Sequence, residues 1–262
     1  MTGPLFDRHA RALRRDRAAR HGPALFLHQR AFDDCLDRLG DVRRDFESAL
    51  LIGCPNPAWR TALERKVSNV EIVDPGPLFA AAANGRFGDE DLIDLPPTAY
   101  DFCLVVGTLD TVPDLQRALL AIRGSLRPDS LFLGAVAGGE TLPMLRAAMR
   151  AADRVSPAAS PHVHPRIEAS ALAPLLSAAG FAMPVVDVDR VTVAYPGFDR
   201  LVDDLRGMAA TNILSARNRR PLGRSARNAA RAEFAQLGNS GVTNETFEIL
   251  HFAAWTPSPP QG

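Results

Sequence analysis

From residue 49 onward, short apolar runs of strand length alternate with segments of helical periodicity. The runs predict strands at 49–52, 70–73, 102–106, 131–137, 184–195 and 246–255. The segments between them predict helices at 58–66, 78–83, 113–125, 141–152 and 170–180. Because such alternation is typical of a mostly parallel sheet with helices on both faces, the sequence predicts a doubly wound α/β fold.

Two segments do not follow this alternation. Residues 1–48 carry apolar positions at helical spacing among many charges and predict two helices, interpreted as an N-terminal lid. Residues 198–237 are almost wholly helical in pattern and predict a cap inserted before the last strand. The predicted organisation is a helical lid over 1–48 and one α/β domain over 49–262, within the size range of a single domain.

Composition excludes several classes of function. The formal net charge is zero, so there is no global electrostatic argument for nucleic acid as a partner. Cys35, Cys54 and Cys103 form neither a CxxC motif nor a Cys/His ligand pattern, which favours a reducing compartment and predicts no metal site. Apolar runs are too short to span a bilayer and the N-terminus lacks a signal-type apolar core. We therefore expect a cytoplasmic protein without a transmembrane segment, with peripheral membrane contact left open.

Three positions in the sequence map to the place where an open α/β sheet binds its ligands, beyond the carboxyl ends of the strands. Gly53 follows the first strand, and Asp74 ends the second about twenty residues later, where a carboxylate accepts hydrogen bonds from ribose hydroxyls. The loop 89–91, Asp-Glu-Asp, is placed to hold an adenine amino group. Asp also forms turns readily, and acidic loops are commonly just solvated. Taken together in this order, these residues predict a nucleoside site.

The turn after the first strand is unusual for such a site. A loop that wraps a cofactor needs glycine for close backbone approach and free N–H groups as donors. Pro55 and Pro57 supply neither. Losing two such contacts, at about 1–3 kcal/mol each, weakens binding by roughly 30- to 10,000-fold. The sequence therefore predicts a cofactor-binding fold with a degenerate binding loop.

Five stretches resemble the class I S-adenosylmethionine-dependent methyltransferase domain, which implies a seven-stranded, Rossmann-like sheet. They are Leu-Ile-Gly-Cys at 51–54, Ile-Val-Asp at 72–74, Gly-Asp-Glu-Asp at 88–91, Tyr-Asp-Phe-Cys-Leu-Val-Val at 100–106 and Leu-Arg-Pro-Asp-Ser-Leu-Phe-Leu-Gly at 126–134. Six further stretches look like those of bacterial relatives of mitochondrial complex I assembly factor 5. They are 138–146, 175–189, 204–212 and 246–257, with Phe-Asp-Arg at 6–8 and Arg-Asp-Arg-Ala-Ala at 15–19.

That resemblance implies a role in assembling the respiratory NADH–quinone oxidoreductase, complex I, with one of its subunits as the protein client. Arginine hydroxylation is the activity proposed for the mitochondrial members, and malonyl-carrier O-methyltransferases are more distant relatives. The implied cofactor is S-adenosylmethionine, without a metal. The expected cofactor-binding residues are Gly53, Cys54, Asp74, Pro75, Asp89, Glu90 and Thr108. No catalytic residue is assigned.

The chain departs from the family pattern at two places. Leu51 replaces the acidic residue that ends the first strand, and the prolines replace later glycines of Gly-Cys-Gly-x-Gly. Leu-Asp-Thr-Val at 109–112 stands where the pattern has Leu-His-Trp-Val. Three functions therefore stay open: modification of a client, non-catalytic assembly, and methylation of a carrier-bound or small-molecule substrate.

Three other features have ordinary alternatives. His162 and His164 alternate as metal ligands can, but no third ligand is identifiable, so a polar loop is the simpler interpretation. Cys54 begins a predicted helix but lacks a visible partner base, which favours packing over nucleophilic chemistry. Arginines crowd the predicted cap, with no acidic residue between 205 and 232: Arg206, Arg217, Arg219, Arg220, Arg224, Arg227 and Arg231. They form either a solvated face or, with the N-terminal arginines, a basic rim for an acidic partner or phosphate-bearing carrier.

Overall fold

The computed structural model describes residues 3–258, so the outer ends of the two predicted domains, 1–2 and 259–262, lie outside it. The strands are β1 Phe46–Ile52, β2 Val67–Asp74, β3 Arg86–Phe87, β4 Tyr100–Val106, β5 Leu126–Ala137, β6 Ala182–Tyr195 and β7 Thr243–Trp255. The helices are α1 Arg8–His21, α2 Phe26–Asp41, α3 Ala58–Glu64, α4 Pro77–Ala82, α5 Leu115–Ser125, α6 Pro143–Arg154, α7 Ala169–Ala178, α8 Phe198–Gly207 and α9 Arg224–Gln236.

The strands form one seven-stranded sheet in the order β3-β2-β1-β4-β5-β7-β6. The pairs among β1 to β5 are parallel, and β7 is antiparallel to both β5 and β6. Because the strand order reverses between β1 and β4, a ligand crevice is expected beyond the carboxyl ends of these two strands. The prediction of a doubly wound, mostly parallel sheet is confirmed.

The core lies on both faces of this sheet. Every residue of β4 is buried, as expected for a central strand covered on two sides. Alternate residues of β1 enter different clusters, since Leu51 packs on one face while Leu50 and Ile52 pack on the other. The continuous apolar runs of the sequence thus reflect burial on both faces rather than an amphipathic strand.

The two predicted N-terminal helices are present and are held in different ways. The carboxylate of Asp7 caps α1 by accepting a hydrogen bond from the N–H of Ala10. Helix α2 buries mostly apolar side chains, namely Leu27, Ala31, Phe32, Cys35 and Leu39. Helix α1 buries Ala10, Arg11, Arg15 and Ala18. Half of the buried residues of α1 are therefore arginines, which need charge partners.

The prediction of nearly continuous helix over 198–237 is wrong for residues 208–223, where the structure has no helix between α8 and α9. Backbone groups in this connection pair with the N-terminal segment instead. Asp7 donates its N–H to the carbonyl of Ile213, and Ser215 donates to Leu5. Within residues 3–258, no helix is sufficiently long and apolar to cross a bilayer.

Candidate functional site

Four acidic residues lie together beyond the carboxyl ends of β2 and β3. Asp74 is the last residue of β2, and Asp89, Glu90 and Asp91 follow β3. We call these four residues the carboxylate row. Asp74 and Glu90 are 0% exposed and Asp91 is 1% exposed, so three members of the row are enclosed within the protein, and only the side chain of Asp89 is partly exposed, at 15%. Buried carboxylates need positive or hydrogen-bonding partners.

The Asp74 carboxylate has four hydrogen-bond donors. Arg15 donates from Nε at 2.7 Å and from Nη2 at 2.5 Å, one bond to each oxygen. The backbone N–H groups of Gly76 and Cys54 donate at 2.7 and 2.8 Å. Because a carboxylate offers about four lone-pair sites, Asp74 has none left for a ribose hydroxyl.

Two further arginines of α1 pair with the other three carboxylates of the row. Arg11 donates to both oxygens of Glu90, at 2.6 and 2.9 Å, and also to Asp89 at 2.9 Å. Arg8 binds both oxygens of Asp91. These arginines and Arg15 are three and four residues apart, which places them on one face of the helix.

The electrostatics of the Arg11–Glu90 pair follow from burial and proximity. Burial by itself raises the pKa of Glu90, but the charge and hydrogen bonds of Arg11 outweigh it, so the pKa is lowered. For Arg11, burial lowers the pKa, and the charges of Glu90 and Asp89 reverse that effect and raise it. Both groups are therefore charged in the folded protein at neutral pH.

The turn after β1 packs against the same row. Gly53 has φ +82°, and a Cβ there would lie 2.6 Å from both the Val106 carbonyl oxygen and Thr108 Cγ2. Its N–H donates to Val73, and the Cys54 N–H donates to Asp74. The donors expected to serve a cofactor thus serve the protein itself.

The other predicted site residues are buried nearby. Burial raises the pKa of the Cys54 thiol to about 12, with the Asp74 charge adding to it, which supports packing rather than nucleophilic chemistry. Pro75 is buried between Asp74 and Gly76. The carbonyl oxygen of Thr108 accepts a hydrogen bond from Arg11 at 2.7 Å. The structure therefore collects all the predicted residues around the row and places α1 over them.

A cleft enclosing about 850 Å³, part of it open to solvent, lies beside the row. The carboxyl ends of β4 and β5 form its floor, and α1, α2, the end of α8 and residues up to Ile213 form its walls. Arg11 and Arg15 line the cleft, whereas no carboxylate of the row does. The two arginines therefore stand between the row and the open space.

The cleft contains a second buried ion pair, between Asp110 and Arg166. Asp110 and Thr111, which both line the cleft, are the two residues at which the sequence departs from the family's Leu-His-Trp-Val. Burial lowers the pKa of Arg166 to about 10, so the guanidinium is still charged at neutral pH. Burial also lowers the pKa of His28 to about 4, aided by the charges of Arg15 and Arg166, so this imidazole is neutral. Sequence reasoning missed Arg166 and His28, because nothing local marks either residue.

The histidine pair separates in the structure. His162 Nε2 lies 2.8 Å from Asp153, and buried His164 Nε2 accepts a hydrogen bond from the N–H of Ile213 at 3.0 Å. Among residues 3–258, no cluster of three or more His, Cys, Asp or Glu side chains has metal-binding geometry.

The arginine cluster of the cap is partly neutralised by distant acids. Asp199 pairs with Arg227 and Arg231, and Asp7 pairs with Arg217 at 2.9 Å. Arg219 is 77% exposed and 3.9 Å from Asp7. Arg219 therefore keeps an exposed positive charge beside Asp7, the residue that caps α1.

Comparison with solved structures supports the fold. A Bacillus halodurans protein, provisionally described as a methyltransferase, has a TM-score of 0.59 at 12% identity, covering 87% of this chain and 99% of its own. The YcgJ protein of a Bacillus species has a TM-score of 0.58 at 11% identity, with the same coverage. At these identities the likeness concerns the fold alone. No protein-family model matches the chain.

Comparison with curated proteins is more specific. The mitochondrial arginine-hydroxylase NDUFAF5 of Rattus norvegicus is 30% identical, over 96% of this chain and 77% of its own length. The Homo sapiens protein of that name is 30% identical over 96% of this chain and 76% of its own. A malonyl-[acyl-carrier protein] O-methyltransferase of Methylovorus is 29% identical over 92% of this chain and 86% of its own length. From the identity and coverage shared with the first two, the chain belongs to the arginine-hydroxylase NDUFAF5 family.

Proposed function

We propose that this protein acts on a protein subunit during assembly of respiratory complex I. The observation that supports the proposal is the extent of the family match, which covers 96% of the chain and therefore includes α1 and the segment around α8 as well as the sheet. These are the elements that wall the cleft. The cleft is thus the place where a client side chain would enter.

The proposed client-binding surface is a group of arginines from α1 and from the connection between α8 and α9. We call Arg14, Arg17, Arg217 and Arg219 the basic surface. Burial lowers the pKa of Arg14, and the charges of Arg17 and Arg217 lower it further, an effect that the charge of Asp7 only partly offsets. An acidic segment of the client would relieve this repulsion and bring the client to the rim of the cleft.

The test is complementation of a strain that lacks the gene, followed by quantification of assembled complex I and of the subunits that copurify with the protein. We expect the deletion to abolish assembly and the wild-type gene to restore it. Arg219→Glu should reduce client copurification about tenfold, equivalent to about 1.4 kcal/mol. Arg43→Glu is the matched control, because Arg43 is exposed and lies just before β1, at the end of the strands opposite to the cleft. Normal complex I in the deletion strain would contradict the proposal.

We propose S-adenosylmethionine as the cofactor class, supported by the fold and by the curated O-methyltransferase relatives. The residues as folded do not fit it. Asp74 has no free lone pair, and Arg11 and Arg15 separate the carboxylate row from the cleft.

A second candidate is non-catalytic assembly. The observation that favours it is the same saturated row, together with the buried turn that contains Pro55. Asp74→Asn, which keeps the size of the side chain, should then leave complex I assembly intact. An assembly defect with unchanged thermal unfolding would count against this candidate.

The third candidate, carrier-linked O-methylation, predicts a methyl ester on a malonyl-carrier substrate, detectable by mass spectrometry. Complete absence of product with the folded protein would remove it. The proposed compartment is the cytoplasm, supported by the free and buried state of all three cysteines.

A further inference from the structure

Helix α1 fills the positions from which this fold would recognise a nucleoside. Asp74 stands at the end of β2, where a ribose would bind, and Arg15 takes up both of its oxygens. Glu90 lies in the loop after β3, and Arg11 donates hydrogen bonds to both of its carboxylate oxygens. An adenosine-type ligand and α1 therefore require the same acceptors.

The fit of Arg15 is close on every side. The nearest atom to a Cβ built on Gly76 is Arg15 Cβ at 2.6 Å, so only glycine admits the helix there. The Arg15 guanidinium also lies 5.2 Å from the centre of the Phe79 ring, within cation–π distance. A flat, polar group held between a carboxylate and an aromatic ring is the arrangement that a nucleoside would itself exploit.

The way α1 is held makes it separable from the domain. Two of its four buried residues are the arginines, and the other two are alanines, so little apolar surface is buried along the helix. Helix α2 by contrast buries Phe32 and two leucines. Because mainly polar contacts hold α1, a ligand that satisfies the same carboxylates can replace the helix without exposing much apolar surface to water. The connection at Gly22 and Pro23 is exposed, and Gly22 has φ +91° with no atom within 4 Å of its Cβ position.

We propose that α1 is a displaceable strap that competes with an adenosine-type cofactor for Asp74 and Glu90. This inference rests on the cofactor class proposed above. In the free protein the arginines of α1 satisfy the carboxylates. When the ligand enters, its ribose and adenine groups take over those hydrogen bonds and α1 leaves the row. The cofactor affinity of the wild-type chain is thereby reduced by the population of the docked helix.

The test is calorimetric titration of the full chain with S-adenosylhomocysteine. Arg15→Gln should bind at least tenfold more tightly than wild type, because Asp74 regains free lone pairs. Arg20→Gln is the matched control on the same helix, since Arg20 is 62% exposed and contacts only Asp16 at 3.8 Å. It should bind as wild type does. Equal affinity of wild type and Arg15→Gln, including no binding by either, would overturn the proposal.

Hydrogen exchange of the wild-type chain keeps the proposal testable if Arg15→Gln does not fold. At millimolar S-adenosylhomocysteine, amides of α1 should exchange at least tenfold faster, while those of α2 keep their protection. Unchanged protection of α1, with or without bound ligand, would overturn the strap.

These results separate the strap from the proposed function. A chain that restores complex I but never binds the ligand removes only the strap. A chain in which Arg15→Gln gains affinity, while the deletion strain assembles complex I normally, removes only the proposed function.

Discussion

The carboxylate row and the cleft lie at the same edge of one sheet, yet they are filled in opposite ways. In the row, acidic side chains from β2 and the loop after β3 meet arginines of α1, and Asp74 and Glu90 are 0% exposed. In the cleft, one ion pair, Asp110–Arg166, stands among mostly apolar walls around open space. The edge that this fold uses for ligands is thus divided into a closed half and an open half.

The difference shows how one helix redirects a common fold. Strand ends place acidic residues at the same point whether or not a ligand binds them. In this chain the docked helix supplies the positive partners, which leaves the region beyond β4 and β5 as the accessible space. A fold match by itself therefore does not reveal which half of the edge is available.

The largest effect on stability is expected from removing an ion pair of the closed half. Arg11→Met leaves Glu90 buried without its partner and should reduce the free energy of unfolding by about 3–5 kcal/mol, measured by urea denaturation. Adding Glu90→Met to that variant should recover part of the loss. Arg20→Met, which removes an exposed charge from the same helix, should change stability by less than about 0.5 kcal/mol. A loss below about 1 kcal/mol for Arg11→Met would show that the row is open to solvent.

The next effect tests the wall of the cleft through pH. Burial lowers the pKa of His164 from 6.5 to about 4, with the charge of Arg146 adding to it. In the unfolded chain His164 binds a proton as the pH falls through 6.5, whereas in the folded chain its imidazole stays neutral down to about pH 4. The contribution of neutral His164 to the free energy of unfolding is therefore fully present above pH 6.5. Below that pH it decreases by about 1.4 kcal/mol per pH unit, about 3 kcal/mol in total by pH 4.

This prediction is checked by urea denaturation between pH 7.5 and 4.5, comparing wild type with His164→Asn. The stability difference between them should shrink or reverse as the pH falls. A difference independent of pH would contradict the buried, neutral state of His164.

Two glycines with positive φ sharpen the comparison. A Cβ at Gly53 would lie 2.6 Å from a backbone carbonyl oxygen in the closed half, whereas a Cβ at Gly107 would lie 2.7 Å from the His28 ring at the edge of the cleft. A ring can rotate into open space and a strand carbonyl cannot. Gly53→Ala should therefore cost about 2–4 kcal/mol and Gly107→Ala about 1–2 kcal/mol. Gly22→Ala, with nothing near its Cβ position, isolates the cost of positive φ. Equal losses at 53 and 107 would mean that both halves are equally rigid.

The smallest effect concerns the thiol beside the row. Because the pKa of Cys54 is about 12, less than about one in a thousand molecules carries the thiolate at pH 8. Mass spectrometry after iodoacetamide treatment should find Cys54 unmodified in the native chain and modified in urea. Rapid native labelling would show that the turn after β1 opens to solvent.

Much of the architecture could be predicted because the spacing of apolar residues along the chain indicates strands and helices. The apolar runs of β1, β4 and β5 mark strands that are buried on both faces, and their order in the chain is enough for a doubly wound sheet. The position of Asp74 follows from the same logic, since residues after parallel strands gather at one edge. The strand before Glu90, β3, was not predicted, because a strand of two residues carries no periodic pattern. The helical pattern over 198–237 misled at 208–223, where pairing with the N-terminal segment outweighs local helical preference.

The partners of these residues could not be predicted. Arg15 lies 59 positions before Asp74, and Arg11 lies 79 positions before Glu90. The spacing of arginines along α1 is equally compatible with a solvated helix. The excess of positive charge over the cap was also redistributed, because Asp7 and Asp199 come from outside the stretch that looked free of acids.

The sequence by itself determined that strands and helices alternate, that an acidic residue ends the second strand and an acidic loop follows at 89–91, and that prolines stand in the turn after β1. Only the tertiary structure decided what those acidic residues bind, because that depends on where α1 packs. Local patterns encode backbone shape and burial, whereas the pairing of charges far apart in sequence is set by the global fold, in which buried carboxylates must find positive partners.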